Sequence, residues 1–313
     1  YKGVNEFRHD RVSKVGVLIA NLGTPSEPTS SGLRKYLKEF LWDPRVVEMP
    51  RPLWWLVLNG IILNTRPKKS AELYQSVWTK EGSPLLVNSR LQEEKLRSRL
   101  EQAFPGRVEL VLGMRYGEPS IATALDELRK AGVERLIVLP LYPQYSGTTS
   151  GSTFDAVAQE MQNWRWIPEL RFIAQYHDHT AYIRAMADHI RAQWAVQGRS
   201  PFMLFSYHGI PMRYLKNGDP YHCQCHKTSR LLADALDLAP GEWQTSFQSR
   251  FGKEEWLKPY TDKTLKTLPK EGTTEVDVFC PGFTSDCLET IEEIGEENRE
   301  IFLEAGGTSY RYI

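Results

Sequence analysis

Cysteine is scarce in this chain: Cys223, Cys225, Cys280 and Cys287 are its whole supply across 313 residues. Four thiols in that length make no disulfide framework, and the scarcity suits a reducing, cytoplasmic setting. Net charge is absent as well, Lys plus Arg equalling Asp plus Glu at 39 each. A nucleic-acid partner wants a surplus of cations, so that class has no support. The longest apolar run, PLWWLVLNGIIL at residues 52–63, is short of the roughly 20 residues that span a bilayer. The opening YKGVNEFRHDR is polar and carries no cleavable-signal pattern. No GxGxxG, Walker loop or nucleophile elbow occurs, which leaves nucleotide binding and acyl transfer without a motif. Low-complexity segments and short internal repeats are missing too.

What the chain has is alternation. Strand-like runs at residues 15–22, 108–114, 136–141 and 170–174 are separated by helical patterns near 31–41, 68–77, 89–103, 119–131 and 152–164. The pattern then begins again, with strands at 202–206, 243–248, 275–280 and 310–313. Helical patterns lie near 181–197 and after Tyr221 and Thr261. The expected class is α/β: two Rossmann-like domains, each a four-stranded parallel sheet flanked by helices. Residues 1–176 would form the first domain and residues 177–313 the second.

Polar residues gather where strands end: Arg115 and Tyr116, Tyr142 to Ser146, His208, Ser246 to Arg250, and Thr284 to Glu289. The carboxyl ends of parallel strands are where α/β proteins hold ligands. His208 follows the apolar FMLFS directly. His177 and His179 sit in a polar turn and read as surface. HCQCH at 222–226 has the residue types of a metal cluster but not the usual two-residue spacing. After the 275–280 strand comes an acidic helix. Asp286 is placed to cap it, with Glu289 three residues on in capping-box spacing. Glu289, Glu293 and Glu297 recur every fourth residue around Gly295. That spacing, with a glycine inside it, predicts a π-type turn between Glu289 and Glu297. A regular surface helix is the competing expectation. The run at 52–63 reads either as a buried helix or as a lip whose Trp54 and Trp55 dip into a membrane surface, and composition does not choose.

The ordered series LGTP (22–25), LGMRYG (112–117), LPLYPQYS (139–146), LFSYHGIPMRY (204–214), GDPY (218–221), FQSRFG (247–252), WLKPYTD (256–262) and CPGFTSDCLETIEEI (280–294) closely resembles the ferrochelatases. The match runs from Val15 to the last residue, and its wording is most like the proteobacterial enzymes. The resemblance implies a lyase that inserts Fe²⁺ into protoporphyrin IX in the last step of heme synthesis, with the porphyrin in a cleft between the two domains. It implies His208 and Glu289 as the catalytic and metal-handling pair on opposite macrocycle faces. Arg115, Tyr116, Trp256 and Phe283 are implied to line the pocket, and Arg66, Lys69 and Ser83 to meet the propionates. Glu293 and Glu297 are read as a route for protons or metal. Where some relatives carry a histidine before the Leu-Glu-Thr, this chain has Cys287. Some relatives bind a [2Fe–2S] cluster on an added C-terminal cysteine segment. No such segment is present, so no cofactor is expected, iron being a substrate. Relatives usually continue past Tyr312-Ile313 with a further helix.

Insertion requires a distorted macrocycle, loss of two pyrrole protons and dehydration of iron. An imidazole, with an ordinary pKa of about 6.5, can take such protons. Which of His208 and Glu289 handles metal and which handles protons stays open. A chelatase for another metal or a more carboxylated porphyrin shares these features, and a non-enzymatic two-lobed binding protein is the alternative from another class. The Trp-rich lip favours the most apolar porphyrin. The expected location is cytoplasmic, peripheral to the inner membrane surface through residues 53–63.

Overall fold

The computed structural model describes residues 1–4 and 7–313. Contacts divide the chain into two compact units, Tyr1–Leu141 with Gly147–Ala174, and Tyr142–Ser146 with Gln175–Ile313.

The first unit runs β1 (Lys14–Gly23), α1 (Ser30–Trp42), α2 (Arg51–Val57), α3 (Leu63–Val77), α4 (Pro84–Ala103), β2 (Val108–Tyr116), α5 (Ile121–Ala131), β3 (Val133–Pro140), α6 (Ser152–Met161) and β4 (Glu169–Phe172). Its sheet is parallel throughout, in the order β2-β1-β3-β4. β1 is apolar on successive residues because both faces of a parallel sheet are covered. Leu18 and Ala20 pack with Leu125 and Leu128 on one face, and Val17 and Ile19 with Leu110 and Leu112 on the other. At the end of β1, Gly23 has a φ of +107°, and a Cβ there would sit 1.7 Å from the Tyr116 carbonyl oxygen. Only glycine lets the ends of β1 and β2 close on one another.

The second unit repeats the plan: α7 (Thr180–Gln197), β5 (Met203–His208), α8 (Met212–Lys216), α9 (Tyr221–Ala235), β6 (Trp243–Gln248), α10 (Thr261–Thr267), β7 (Glu275–Phe279), α11 (Asn298–Glu304) and β8 (Ser309–Tyr312). Its order, β6-β5-β7-β8, is again all parallel. The two expected parallel four-stranded sheets are therefore present. The edge strand β8 is held by a buried charge. Asp277 accepts from Arg311 Nε at 2.7 Å, Trp194 Nε1 at 2.7 Å and the Ser200 amide at 3.1 Å. A carboxylate sealed from water is tolerable only with partners of this kind.

The run at 52–63 combines both of its readings. α2 passes into a π turn, Leu58–Ile62, and then into α3. Trp54, Leu58 and Leu63 are buried together, a spacing of four and then five residues that the wider turn makes possible. Trp54 is 5% exposed and donates its indole N–H to the Leu41 carbonyl, so it is core and not lip. Trp55 is 54% exposed, with Leu53, Leu56 and Ile61 beside it in exposure. Among the described residues, no helix is long and apolar enough to cross a membrane.

Two local expectations are corrected. His177 is buried at 5% exposure, and burial lowers its pKa, whereas His179 is exposed and caps α7 by accepting from the Ala181 amide. Asp286 forms no capping box with Glu289. Its Oδ1 takes the Thr290 and Tyr312 hydroxyls, at 2.8 and 2.7 Å, because the next segment opens as a π-helix.

Candidate active site

In each sheet the chain leaves its first strand to one side and later returns to the other. In the second unit that switch lies between β5 and β7, whose carboxyl ends bound the place where open α/β sheets bind ligands. His208 is the last residue of β5, paired in register with Gln248 of β6. Its Nδ1 lies 2.7 Å from the Gly209 carbonyl oxygen. A carbonyl has no proton, so Nδ1 donates and the neutral ring keeps a lone pair on Nε2. The backbone turns away tightly here: a Cβ on Gly209 would meet the Gln248 carbonyl at 2.9 Å and Trp256 at 3.2 Å. The Trp256 ring, its indole N–H bonded to the Phe251 carbonyl, lies 6.5 Å from the imidazole.

Beyond β7 the chain from Glu289 to Glu297 is a π-helix, as the acidic spacing predicts. The Asn298 amide closes it on the Glu293 carbonyl, five residues back. The Asn298 side chain bonds the same carbonyl at 2.7 Å, and Tyr310 OH donates to the Ile294 carbonyl at 2.6 Å. The wider turn thus has its carbonyls satisfied by neighbouring side chains. Glu289 and Glu293 are half-buried and Glu297 is exposed, so the row leads outward. Gln248 joins β6 to this helix, donating to the Glu289 carbonyl at 3.4 Å while its Oε1 accepts from Ser206 at 2.7 Å. Phe283 is packed against the cluster of Val278, Cys280 and Ile294.

Glu293 is the most tightly held acid of the row. Ser249, at φ 62°, donates both its amide (2.8 Å) and its hydroxyl to that carboxylate. Left-handed backbone is rare for serine, and here it turns two donors on one acceptor. Burial pushes the Glu293 carboxyl above its ordinary value and the charge of Glu289 adds to the rise, while the Ser249 donors and the positive charge that His208 carries once protonated pull it down. His208 and Glu289 therefore both act on Glu293 at the switch point. A carboxyl raised by burial beside an imidazole is suited to holding and passing protons.

The first unit has a polar centre of its own at the end of β2. The buried Asp43 carboxylate accepts from Arg115 Nη2 at 2.5 Å, Tyr116 OH at 2.8 Å and Ser152 Oγ at 2.5 Å. Burial opposes the charge on Asp43, yet these donors, the Arg45 amide and the Arg115 charge hold its pKa below the usual value. Burial raises the pKa of Tyr116, which keeps its proton and donates. Arg66 and Lys69 stand exposed on α3. Ser83 is buried, its hydroxyl accepting from Thr24 at 2.8 Å.

The sequence pattern of the family described as Ferrochelatase matches residues 14–313. The chain is 58% identical to the ferrochelatase of Marinobacter nauticus over 313 residues, covering all of this chain and 85% of that protein. It is 59% identical to that of Nitrosococcus oceani over 314 residues, at the same coverage. The chain belongs to the ferrochelatase family. Its fold is also similar to that of SirB from Bacillus subtilis, solved with Fe³⁺, at a TM-score of 0.53 and 13% identity. That likeness covers 96% of this chain and 88% of SirB.

For a ferrochelatase, two supporting residues escape sequence reasoning. Asp43 sits in an unremarkable Trp-Asp-Pro, and its partner Arg115 is 72 residues away. Ser249 lies in a strand end already marked as polar, but nothing in Gln-Ser-Arg announces its backbone conformation. HCQCH at 222–226 falls on α9 and does not form a cluster: Cys225 is buried and Cys223 exposed. Among the described residues no group of three or more His, Cys, Asp or Glu is placed to hold a metal.

Proposed function

We propose that this member of the ferrochelatase family uses His208 as the proton acceptor for Fe²⁺ insertion into protoporphyrin IX. Insertion exchanges two pyrrole N–H protons for one Fe²⁺, so charge balances when both protons leave. His208 Nε2 takes them in turn from the macrocycle. Glu289 stands at the head of the π-helix and handles the incoming iron, and Glu293 and Glu297 pass protons outward. The observation that carries this reading is the placement of His208 at the carboxyl end of β5 and of Glu289 and Glu293 on the π-helix beyond β7, with His208 and Glu289 both acting on the Glu293 carboxyl. Arg115, oriented by Asp43, and the Tyr116 ring beneath its guanidinium at 4.5 Å supply a rigid cationic wall. Arg66, Lys69 and Ser83 meet the propionates, with Ser83 acting through a hydroxyl already shared with Thr24. Trp256 and Phe283 contribute apolar contact. No cofactor is required. The direct test is anaerobic incubation of the pure protein with Fe²⁺ and protoporphyrin, following the heme spectrum; no spectrum at saturating substrates refutes it.

Glu293→Gln separates function from stability. A carboxyl with a raised folded pKa stabilises the fold fully only below its unfolded value, about 4.5, and loses that contribution as pH rises through the folded value. At pH 8 the ionised, half-buried group is therefore a cost that glutamine removes. The expected variant turns over about tenfold more slowly, at the low end for a lost proton-transfer group. Its Tm at pH 8 equals or exceeds wild type, and that advantage vanishes near pH 4. A clear fall in Tm at pH 8 contradicts the account.

Peripheral membrane contact through residues 53–63 is part of the same proposal. Trp55, Leu53, Leu56 and Ile61 form the exposed apolar edge. Beside Trp55 is a pocket of about 810 Å³ with Lys35, Lys38 and Arg51 in its wall, an arrangement suited to anionic headgroups. Trp55→Ser with Leu56→Ser should reduce binding to anionic liposomes and raise KM for protoporphyrin while leaving Tm within a few degrees. Trp54→Ser should instead lower Tm, as loss of a buried aromatic costs about 3–5 kcal/mol.

A further inference from the structure

The HCQCH motif does not build a cluster, but α9 brings its two histidines together. We infer that His222 and His226 form a two-imidazole chelate for a borderline transition-metal dication of the Zn²⁺, Ni²⁺ or Cu²⁺ class, outside the His208 site. The residues are four apart on one helix, and such pairs share a face. Their ring centroids are 4.5 Å apart. Imidazole binds these metals at about 2.0–2.1 Å, which puts each ring centroid roughly 3.2 Å from the ion. Two such rings at a right angle about one metal have centroids about 4.5 Å apart. The observed spacing equals this right-angle value, and the tetrahedral angle of Zn²⁺ widens it only to about 5.2 Å, a change that side-chain rotation supplies without moving the helix.

The pair is also prepared for the task. Phe247 lies beneath both rings, stacked on His222 at 5.6 Å and tilted to His226 at 6.0 Å. Its own place is fixed in β6 against the Tyr207 ring, at 6.3 Å. Both imidazoles are half-buried, none of their nitrogens is sealed from solvent, and no hydrogen bond between described residues engages them. Burial lowers both pKa values, that of His226 to about 4, so the rings are neutral at physiological pH. A neutral imidazole is the ligating form. Cys225 does not join them, since its thiol is buried and bonded to Tyr221.

The charges acting on the pair set its selectivity. Each histidine influences the other, and Arg230, one turn further along α9, opposes a cation at His226. No carboxylate is among them, so attraction to any dication in general is lacking. Binding rests on the nitrogen donors, which favour Zn²⁺, Ni²⁺ and Cu²⁺ over Mg²⁺ and Ca²⁺. Water completes the coordination. None of the groups acting on the pair belongs to the His208, Glu289 and Glu293 set.

The test is calorimetric titration of Zn²⁺ into the full chain, as wild type, His222→Ala and His226→Ala, with tenfold excess Mg²⁺ present. Either substitution should weaken one binding step at least about tenfold, the loss expected when a two-point attachment becomes one-point. Zn²⁺ taken up at His208 should be unaffected. Binding isotherms identical to wild type in both variants overturn the proposal. Should the alanine variants fail to fold, pulsed EPR of one equivalent of Cu²⁺ on His208→Ala decides the matter. Two imidazole nitrogens on one copper support the chelate, and one or none overturns it.

Discussion

His208→Ala is expected to lower kcat for Fe²⁺ insertion by about 10²–10⁴-fold, the range over which a positioned proton acceptor contributes. Porphyrin affinity should stay close to wild type, because the stacking and cationic contacts proposed above belong to other residues. Stability should change little, since among the described residues the side chain's hydrogen bond runs to the carbonyl of its own neighbour, Gly209. The loss should therefore fall on kcat and leave KM nearly unmoved, the pattern of a group that acts in the transition state. Added imidazole should restore part of the turnover, with a pH dependence that follows the free base. Heme absorbance under anaerobic conditions measures turnover, and quenching of tryptophan fluorescence by protoporphyrin measures binding. Near-wild-type turnover would make His208 structural and transfer the proton chemistry to Glu289 and Glu293.

That a histidine at the end of one strand and an acid beyond another should meet is legible in the strand pattern alone. β5 opens on the apolar run Met203-Leu204-Phe205, while β7 alternates Val276 and Val278 with the buried Asp277; strands of this kind lie parallel in a covered sheet and are open to ligand at their carboxyl ends. The π-helix is legible for a different reason: acids at every fourth position around Gly295 sit awkwardly on a regular helix. Strand limits are less legible. β3 begins at Val133 although Glu134 and Arg135 interrupt the apolar run, because Arg135 pairs in register with Val15 on one side and Glu169 on the other. Backbone pairing ignores the side-chain pattern there. The π turn at Leu58–Ile62 leaves only a faint trace, the change from four- to five-residue spacing among Trp54, Leu58 and Leu63. Least legible are residues that act through others. Asp43 is ordinary until Arg115, Tyr116 and Ser152 arrive from other parts of the first unit, and Ser249 until its backbone turns left-handed.

Asp43 carries the largest expected effect on stability. Its side chain is 3% exposed and that of Arg115 19%. Truncation to alanine leaves the Arg115 charge without its carboxylate and takes from the Tyr116 and Ser152 hydroxyls the acceptor they share. Removing one partner of a buried ion pair costs about 3–5 kcal/mol, largely because the other charge stays behind unpaired. Asp43→Ala should accordingly unfold at much lower urea, and Ser152→Ala, which removes one donor to Asp43 and one acceptor for Arg115 but no charge, should lose about 1–2 kcal/mol. The sign of the pH dependence follows from the depressed Asp43 pKa. A group of that kind contributes stability above its unfolded value, 3.8, and the contribution disappears as pH falls through the folded value. The gap between wild type and Asp43→Ala should thus be widest near pH 7 and narrow steadily below about pH 4. Porphyrin affinity should fall as well, since Arg115 loses the carboxylate that aims it. Asp43→Asn, which keeps an acceptor for Tyr116 and Ser152 without the charge, should fall between wild type and alanine on both measures. Equilibrium urea unfolding at pH 7 and pH 3.5 measures the gap at both ends. A gap below about 1 kcal/mol at pH 7, or one that stays constant with pH, would mean that the Arg115–Asp43 pair does not hold this corner of the first unit together.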